Sequence, residues 1–366
     1  MEIFKYMEEF DFEQLTLFHH KETGLKAITC IHNTVLGTSL GGTRFYNYET
    51  EDAAIEDALR LARGMTYKNA VAGLPLGGGK SVIMGDVNEL NKDSVKREAF
   101  WRAFGRYVDG LGGRYVTAQD MNTTLQDLMY VNQETNFVAG LPGRSGSPSP
   151  YTARGVYQGI RACMMHLHGD DCLKGKVVAI QGIGSVGYAL AEMLHEAGAK
   201  LIVADTNKVT IEKAVKELGA VACELADIYD AECDVFAPTA IGAILNDDTI
   251  PRLKCKVVCG GANNVLKVAS VHGPALQDRG ILYAPDFVAN AGGVINVAHE
   301  VILEKGYDEP TSFRAIDMIY DRLLEIFAKS KETGKLTYQI ADEMAEARIE
   351  AIVRSSRIRT EASMKF

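Results

Sequence analysis

The chain has 366 residues, 47% of them hydrophobic and 24% charged, which is typical of a folded protein with apolar material for two domains of about 150 residues each. Its 39 basic and 48 acidic residues leave a net charge of −9, which argues against nucleic-acid binding because phosphate contacts require clustered cations. No apolar run approaches the roughly 18 residues of a membrane helix, and the acidic start of the chain lacks the apolar core of a secretory signal. We therefore expect a cytoplasmic protein with no membrane association.

The seven cysteines are an odd number, widely scattered and without a CxxC pair. This spacing is not that of a disulfide framework or of a zinc site, so we expect reduced thiols and no bound metal. The histidines show no metal-ligand spacing either.

The first 140 residues predict a mixture of strands and helices. Residues 26–33 have the composition of a strand. Residues 50–64 predict a helix with Thr50 as its N-cap, an apolar stripe along one side and Gly64 at its end.

The stretch 141–150 concentrates Pro, Gly and Ser, and it is the best candidate for a linker or hinge. Beyond it, apolar runs of strand length alternate with helical segments, which predicts a parallel sheet buried on both faces. These runs lie at 176–180, 200–205, 233–238, 256–261 and 280–287. Two amphipathic helices are expected at 312–329 and 337–356. The predicted fold class is therefore α/β, with two domains.

Residues 177–205 carry the clearest motif, a GxGxxG fingerprint that follows one strand, opens a helix and precedes a second strand ending at Asp205. Gly182 permits the tight turn, Gly184 lets the backbone approach a pyrophosphate, and Gly187 lets the helix pack closely on the strand. The helix N-terminus then offers unpaired N–H groups to the phosphates. The predicted cofactor-binding residues of this loop are Gly182, Ile183, Gly184, Ser185, Val186 and Gly187. The alternative is a glycine-rich turn that binds nothing, and the complete strand–loop–helix–strand context argues against it.

Asp205 would accept hydrogen bonds from ribose hydroxyls and repel a 2′-phosphate, which favours NAD over NADP. Three later strands end in small or polar residues, at 238–240, 260–264 and 290–293. Ligands of open α/β sheets bind at the carboxyl ends of strands, so these segments are candidates to line the nicotinamide end. Taken alone, each of them is equally well an ordinary turn.

The segment 73–81, GLPLGGGKS, invites comparison with the P-loop of nucleoside triphosphatases. That motif requires a glycine where this chain has Leu74, and its lysine opens a helix, whereas the residues after Lys80 predict a strand. We therefore reject this class of enzyme. The three glycines instead leave no side chains beside Lys80, so a substrate could approach it directly.

Lys68 lies upstream of Lys80, across a turn that contains Pro75. If both ammonium groups face one cleft, one can pair with a substrate carboxylate while the other exchanges protons. Repulsion between two such charges about 5 Å apart would lower one pKa by about two units, into the range of a base. The alternative is two solvated lysines beside a flexible loop.

Asp120 follows a strand-like run and is a third candidate, a carboxylate that could hold the catalytic amine or a substrate amino group. Asp, Asn and Thr also favour helix N-caps, so residues 120–124 equally predict the start of a helix.

Taken together, the motifs resemble the amino acid dehydrogenases of the glutamate, leucine, phenylalanine and valine family, with the leucine dehydrogenases as the most similar subgroup. The matching segments are LGGTR at 40–44, the helix and MTYK at 50–68, PLGGGKS at 75–81, TAQD at 117–120, the dinucleotide fingerprint and NAGGVINVA at 290–298. The resemblance covers nearly the whole chain. It implies a substrate-binding, catalytic and oligomerisation domain at 1–140, completed by the C-terminal segment 331–366. It also implies a Rossmann-type NAD domain at 141–330, with the active-site cleft between the two.

The resemblance implies the reaction as well: reversible oxidative deamination of a branched-chain L-amino acid, leucine together with valine and isoleucine, to the 2-oxo acid and ammonia, with NAD as cofactor. By position, Lys80 and Asp120 resemble the catalytic residues, and Lys68 resembles the lysine that binds the substrate carboxylate. The other residues implied in substrate binding are Leu40, Gly41, Gly42, Ala118, Asn290, Val294 and Val297. Those implied at the nicotinamide end are Thr152, Ala240 and Asn263. A homo-oligomer, between a dimer and an octamer, is also implied.

Leu40, Ala118, Val294 and Val297 correspond to the side-chain pocket, and all four are apolar. Glutamate-specific relatives place a lysine at the position of Leu40, so glutamate would bury its second carboxylate without a partner here. One methylene is worth only about 1–3 kcal/mol, so the sequence does not separate leucine, isoleucine and valine. A phenylalanine or valine dehydrogenase of the same fold is the alternative. A non-catalytic NAD-binding regulator is a second alternative, which the retained catalytic residues disfavour.

The chain departs from the family pattern at a few positions that flank the cleft or the cofactor. These are Met121-Asn122 after the catalytic aspartate, Thr239, Ile241 and Ala139. They bear on affinity and side-chain preference rather than on the class of reaction.

Overall fold

The structure is a computed structural model that describes residues 2–304 and 306–356. These residues form two compact units. The first unit comprises the described residues up to Ser147, Val297–Asp308 and the described residues from Met344 onward, and the second comprises Pro148–Asn296 and Glu309–Glu343. Residues 357–366 of the predicted C-terminal segment lie outside the described residues. Within the described ranges, no helix is both long and apolar enough to cross a membrane.

The first unit is built on a five-stranded mixed sheet in the order β1-β2-β4-β3-β5. Its strands are β1 Gln14–His20, β2 Leu25–Asn33, β3 Ser39–Tyr46, β4 Gly77–Met84 and β5 Tyr115–Gln119. The helices of the chain before residue 140 are α1 Ile3–Phe10, α2 Glu51–Val71, α3 Val87–Leu90, α4 Ser94–Asp109 and α5 Leu125–Asn132. β3 runs parallel to β4 and β5, whereas β2 runs antiparallel to β1 and β4. The strand predicted at 26–33 is confirmed as β2.

Each face of this sheet carries its own core. Cys30 and Val82 belong to the cluster packed against α2, whereas Trp101 and Tyr115 belong to the cluster around α4 and α5. Side chains alternate between the two faces along a strand. Lys80, two residues before Val82 in β4, therefore projects on the α2 face.

Helix α2 is longer than predicted. Thr50 is its N-cap as predicted, but the expected end at Gly64 is wrong, because the helix continues to Val71. A glycine inside a helix costs about 1 kcal/mol relative to alanine. The second half of the helix buries Thr66 and Val71 against the sheet, and this burial offsets the cost.

The second unit is built on a six-stranded sheet in the order β11-β10-β9-β6-β7-β8, in which all neighbouring strands are parallel. Its strands are β6 Val177–Gln181, β7 Lys200–Ala204, β8 Val221–Ala222, β9 Val235–Pro238, β10 Val257–Val258 and β11 Leu282–Tyr283. The remaining helices of the chain are α6 Ser149–His168, α7 Ser185–Glu196, α8 Lys208–Leu218, α9 Ala269–Asp278, α10 Asp286–Ala289, α11 Gly292–Ile302, α12 Glu309–Asp317, α13 Ile319–Thr333 and α14 Thr337–Ser356. This order is the doubly wound one, with its switch point between β6 and β9. The predicted α/β class and parallel sheet are confirmed.

Four predicted elements in this part of the chain have wrong boundaries. The linker expected at 141–150 ends earlier, because α6 begins at Ser149 with Pro150 in its first turn, where its missing N–H costs nothing. The strands expected at 256–261 and 280–287 are only two residues long each, and α10 already begins at Asp286. The helix expected at 312–329 is two helices, α12 and α13, which meet at Met318.

His32 predicts how the stability of the first unit depends on pH. It is buried, with Nδ1 2.8 Å from Thr66 Oγ1 and Nε2 3.0 Å from the Phe10 carbonyl oxygen. Burial lowers the pKa of His32 to about 4. As the pH falls below about 6.5, His32 is therefore protonated in the unfolded chain but not in the folded protein. This difference lowers the free energy of unfolding by about 1.4 kcal/mol per pH unit until the pH reaches the pKa of His32 in the folded protein.

We expect urea titration to show that the free energy of unfolding falls between about pH 7.5 and pH 5 by about 2 kcal/mol more in the wild type than in His32→Gln. An equal fall in the two proteins would remove His32 as a source of acid sensitivity.

Candidate active site

Six of the predicted catalytic and substrate residues of the first unit lie on, or directly after, three neighbouring strands. They are Leu40, Gly41 and Gly42 in β3, Lys80 in β4, and Ala118 and Asp120 at the end of β5. The strand register pairs Gly42 with Ala118 and Leu40 with Gly78. Lys80 lies inside a strand, as expected when the P-loop interpretation was rejected.

The three glycines before Lys80 serve the packing of the sheet. A methyl group on Gly78 would lie 2.1 Å from the backbone nitrogen of Thr66 in α2, and one on Gly77 would lie 1.9 Å from the carbonyl oxygen of Asn33. The room they leave is thus filled by α2 and by neighbouring strands. The expectation that these glycines open an approach for a substrate is wrong.

Lys80 and Asp120 form a buried ion pair. Lys80 Nζ lies 3.1 Å from Asp120 Oδ1, and the two side chains are 5% and 25% exposed. Burial lowers the pKa of Lys80, and the nearby Arg44 charge adds to this, while Asp120 opposes it. The predicted direction of the Lys80 shift is therefore supported, with burial rather than repulsion from Lys68 as its largest cause.

The aspartate keeps its charge in this setting. Burial alone would raise the pKa of Asp120, but the charges of Lys80 and Arg44 outweigh burial and hold that pKa well below its usual range. The pair thus consists of a carboxylate that stays ionised and an amine whose proton is unusually easy to remove.

Arg44, the last residue of the LGGTR segment, completes the cluster, although no role was predicted for it. Its Nε donates to Asp120 Oδ2 at 3.0 Å, and its NH1 donates to Asp57 Oδ2 of α2 at 2.9 Å. The Tyr48 hydroxyl donates to the same Asp57 oxygen at 2.6 Å. Period-two alternation along β3 places Arg44 on the face of Leu40 and Gly42, and this was the signal that could have found it.

Lys68 lies in the last turn of α2, the helix that packs on β4, and its side chain is half-buried. It is not a residue of a flexible loop. The solvated-loop alternative is therefore wrong for Lys68 and for the buried Lys80.

Residues 120–123 form a turn, and of the helix start predicted at 120–124 only the last residue caps a helix. Helix α5 begins at Leu125, and Thr124 is its N-cap. Asn122 has φ 61°, a left-handed conformation that Gly and Asn adopt most readily, and its Nδ2 donates to the Phe45 carbonyl at 2.9 Å. The Met121-Asn122 departure is therefore compatible with this turn.

In the second unit, the glycine loop has the geometry that the fingerprint predicts. Gly182 has φ 100°, and a methyl group there would lie 2.6 Å from Ala240 Cβ. A methyl group on Gly187 would lie 2.0 Å from the Gly182 carbonyl oxygen, whereas one on Gly184 would meet nothing within 4 Å. Ser185 and Val186 begin α7, and the Thr239 hydroxyl donates to the Gly182 carbonyl at 2.5 Å.

Asp205 lies directly after β7 and is tied to the loop. Its Oδ2 accepts from the Ile183 N–H at 2.6 Å and its Oδ1 accepts from the Asn207 N–H at 2.8 Å. The carboxylate thus stands beside the start of α7, whose N-cap Gly184 has no side chain to satisfy the first N–H groups of the helix. A dinucleotide's phosphates and ribose fit this donor and acceptor set.

Asn290 links two of the predicted segments. Its Nδ2 donates to Asn263 Oδ1 at 2.8 Å, while its buried Oδ1 has no hydrogen-bond partner among the described residues. Thr152, in the first turn of α6, lies against Gly293, where a methyl group would come within 2.4 Å of its Oγ1. Val294 and Val297 lie in the same helix, α11.

Comparison with known proteins identifies the family. The sequence profile described as "Glu/Leu/Phe/Val dehydrogenase, dimerisation domain" matches residues 13–137, and that described as "Glutamate/Leucine/Phenylalanine/Valine dehydrogenase" matches 143–214 and 202–357. The chain belongs to this family. The resemblance inferred from the motifs is thereby confirmed, and with it the prediction of an amino acid dehydrogenase fold with a substrate domain and an NAD-binding domain.

Several members of the Glu/Leu/Phe/Val dehydrogenase family are similar over their full length. A leucine dehydrogenase of Thermoactinomyces intermedius is 55% identical over 353 residues, which cover 96% of this chain and 94% of that protein. The crystal structure of an L-tryptophan dehydrogenase from Nostoc punctiforme superposes with a TM-score of 0.82 at 42% identity, covering 96% of this chain and 99% of that one. The fold is also that of a hetero-hexameric glutamate dehydrogenase from Thermus thermophilus, with a TM-score of 0.80 at 20% identity, covering 95% of this chain and 91% of that one.

Proposed function

We propose that the protein catalyses the reversible, NAD-dependent oxidative deamination of a branched-chain L-amino acid, with leucine preferred and valine and isoleucine also used. The observation that carries this proposal is the Lys80–Asp120 pair, a buried amine with an easily removed proton beside a carboxylate that stays charged. A solvent-facing structural ion pair would not need either property.

NAD, when bound, supplies the acceptor for the hydride that leaves the substrate Cα. The residues that would hold its phosphates and adenosine ribose are those of the glycine loop, 182–187, together with Asp205. Thr152, Ala240 and Asn263 would hold the nicotinamide end. The uncapped start of α7 and the open space at Gly184 support this assignment.

Lys68 pairs with the carboxylate of the amino acid and fixes its orientation. Neutral Lys80 accepts a proton from the substrate ammonium group and releases it to solvent. After hydride loss it accepts a second proton, from the water that adds to the iminium carbon. It passes this proton to the amino group, which leaves as ammonia as the carbonyl forms and the hydroxyl proton returns to Lys80. Ionised Asp120 stabilises the ammonium that forms on Lys80 at each of these stages. Asn290 Oδ1, which has no other partner among the described residues, accepts a hydrogen bond from the substrate amino group.

The residues that would contact the substrate side chain are Leu40, Ala118, Val294 and Val297, as the family resemblance implies. All four are apolar, so the second carboxylate of glutamate would be buried without a partner and the pocket excludes it. An aliphatic side chain gains free energy there by leaving water.

The enzyme acts as a homo-oligomer in the cytoplasm. The description of residues 13–137 as a dimerisation domain supports self-association, and the seven free thiols suit a reducing compartment. Light scattering of the purified protein measures the number of subunits, and a monomer at micromolar concentration would contradict the assignment.

The experiment that tests the function is NADH formation at alkaline pH with a panel of L-amino acids. We expect the highest kcat/KM with leucine, lower values with valine and isoleucine, and no turnover with glutamate. A preference for phenylalanine or tryptophan would move the protein to another specificity within its family. The absence of turnover with every amino acid would support the non-catalytic alternative.

A further inference from the structure

We propose that Arg44 is a positioning residue for the reaction, held in place by Asp57 so that it fixes the Asp120 carboxylate against Lys80. This inference rests on the proposed function, because it assigns a part in the same chemistry to a side chain that does not touch the substrate. Three observations carry it.

The first observation is a continuous chain of short hydrogen bonds that ends at the catalytic pair. Asp57 accepts from Tyr48 at 2.6 Å and from Arg60 at 2.8 Å, so both of its oxygens are held. Arg44 then bridges Asp57 and Asp120, and Asp120 contacts Lys80. Each oxygen of Asp120 therefore faces one cation, which leaves the carboxylate a single orientation.

The second observation is how this cluster is built into the sheet. Arg44 extends from β3, Lys80 from β4, and Asp120 follows β5, while Asp57 comes from α2 on the same face. Arg44 is separated from Asp120 by 76 positions in the sequence. A planar guanidinium with several fixed donors can bridge two carboxylates on different elements, and a lysine cannot do so with the same geometry.

The third observation is the balance of charge around Lys80. Asp120 and Asp57 favour its protonated form, Arg44 disfavours it, and burial disfavours it most. From β2, the neighbouring Cys30 adds no charge, because burial raises the pKa of that thiol. Arg44 thus neutralises a carboxylate that would otherwise hold the proton on Lys80.

The test compares kcat as a function of pH in Arg44→Met, Arg44→Lys and Asp57→Asn. In Arg44→Met we expect kcat to fall about 100-fold and the acid limb of the profile to move up by about one pH unit, because Asp120 loses both its orientation and its second cation. Arg44→Lys keeps the positive charge, so the acid limb of its pH profile should stay near the wild-type position. Its kcat should still lie below the wild-type value, because a lysine does not reproduce the geometry of the guanidinium. Asp57→Asn should move the limb in the opposite direction, because an anion that favours protonated Lys80 is removed.

Arg97→Met is the matched control. Arg97 forms a buried pair with Asp127, at 2.7 and 2.6 Å, between α4 and α5 on the other side of the sheet. Loss of this ion pair should lower the melting temperature without moving the acid limb of the kcat–pH profile. The proposal is overturned if Arg44→Met keeps kcat within about threefold of the wild-type value and keeps the acid limb of its pH profile within a few tenths of a pH unit. It is also overturned if Arg97→Met shifts the acid limb as far as Arg44→Met does.

A second readout does not depend on turnover. The rate at which Lys80 is reductively methylated by formaldehyde with sodium cyanoborohydride as the reductant, followed by peptide mass spectrometry in the protein without substrate, reports how easily its amine is deprotonated. We expect the pH midpoint of this rate to be higher in Arg44→Met and lower in Asp57→Asn. If the wild type proves inactive with every amino acid, the proposed function fails, but the pH midpoints of methylation still decide the role of Arg44. Midpoints that do not shift in soluble, folded variants overturn the proposed role of Arg44. If Arg44→Met does not fold, the Arg44→Lys and Asp57→Asn variants decide it alone.

Discussion

Replacing Lys80 by alanine is expected to lower kcat for the preferred amino acid by about 10⁴-fold, because the reaction loses the group that accepts the substrate proton. Affinity for NADH should stay within a few-fold, since the cofactor residues belong to the second unit and Lys80 to the first. Steady-state rates and fluorescence titration with NADH measure the two quantities. Unchanged turnover would remove Lys80 from the chemistry.

The same variant allows a sharper test of what Lys80 does. Truncating a buried lysine to alanine leaves a cavity beside Asp120 that a small primary amine can enter. We expect ethylamine to restore part of the lost rate, and the restored rate to rise with pH as the free amine becomes neutral. Sodium chloride at the same ionic strength is the control, and equal stimulation by the salt would show that no base has been replaced.

Substitutions in the glycine loop are expected to separate folding from cofactor binding. In Gly187→Ala the new methyl group would lie 2.0 Å from the Gly182 carbonyl oxygen. Since backbone must move to relieve this clash, both the melting temperature and the affinity for NADH should fall, the latter by about 100-fold. Calorimetry and fluorescence titration measure the two effects.

Gly184→Ala is the informative partner of that variant. Its methyl group would meet nothing within 4 Å, so the fold should keep its melting temperature. If the pyrophosphate approaches the backbone there, however, the added methyl group should weaken NADH binding by about tenfold or more. Gly64→Ala, an open helical position in the first unit, is the control and should leave NADH affinity unchanged. NADH binding to Gly184→Ala with wild-type affinity would place the phosphates elsewhere.

The elements that could be predicted are those whose signal lies within a few residues. The strands β6 and β7 are near-continuous apolar runs bounded by turn residues, and they were placed to within a residue or two. The end of α2 was missed because a glycine's local preference was weighed without the tertiary burial of Thr66 and Val71, which decides the outcome. The break at Met318 likewise carries no Gly or Pro that would signal it.

The active site shows the same limit. Lys80 was found as a candidate because a lysine between three glycines and an apolar strand is unusual locally. Asp120 was locally just as compatible with a helix cap, and its catalytic role came from the family resemblance. Their contact, and the bridge that Arg44 makes between Asp120 and Asp57, depend on strand order in the sheet, which residue spacing does not encode. The glycines before Lys80 were given the wrong role for a related reason: the backbone that fills their space comes from α2 and β2.

The most direct test of the central claim is the dependence of kcat on pH in the wild type with the preferred amino acid. The proposed mechanism requires neutral Lys80, so kcat must fall as the pH decreases through the pKa of this group in the substrate complex. Because burial lowers that pKa, the limb should lie below the usual lysine value of about 10.4, and it should vanish from the residual rate of Lys80→Ala. A limb at the ordinary lysine value, or one that persists unchanged in Lys80→Ala, would contradict the assignment of Lys80 as the base.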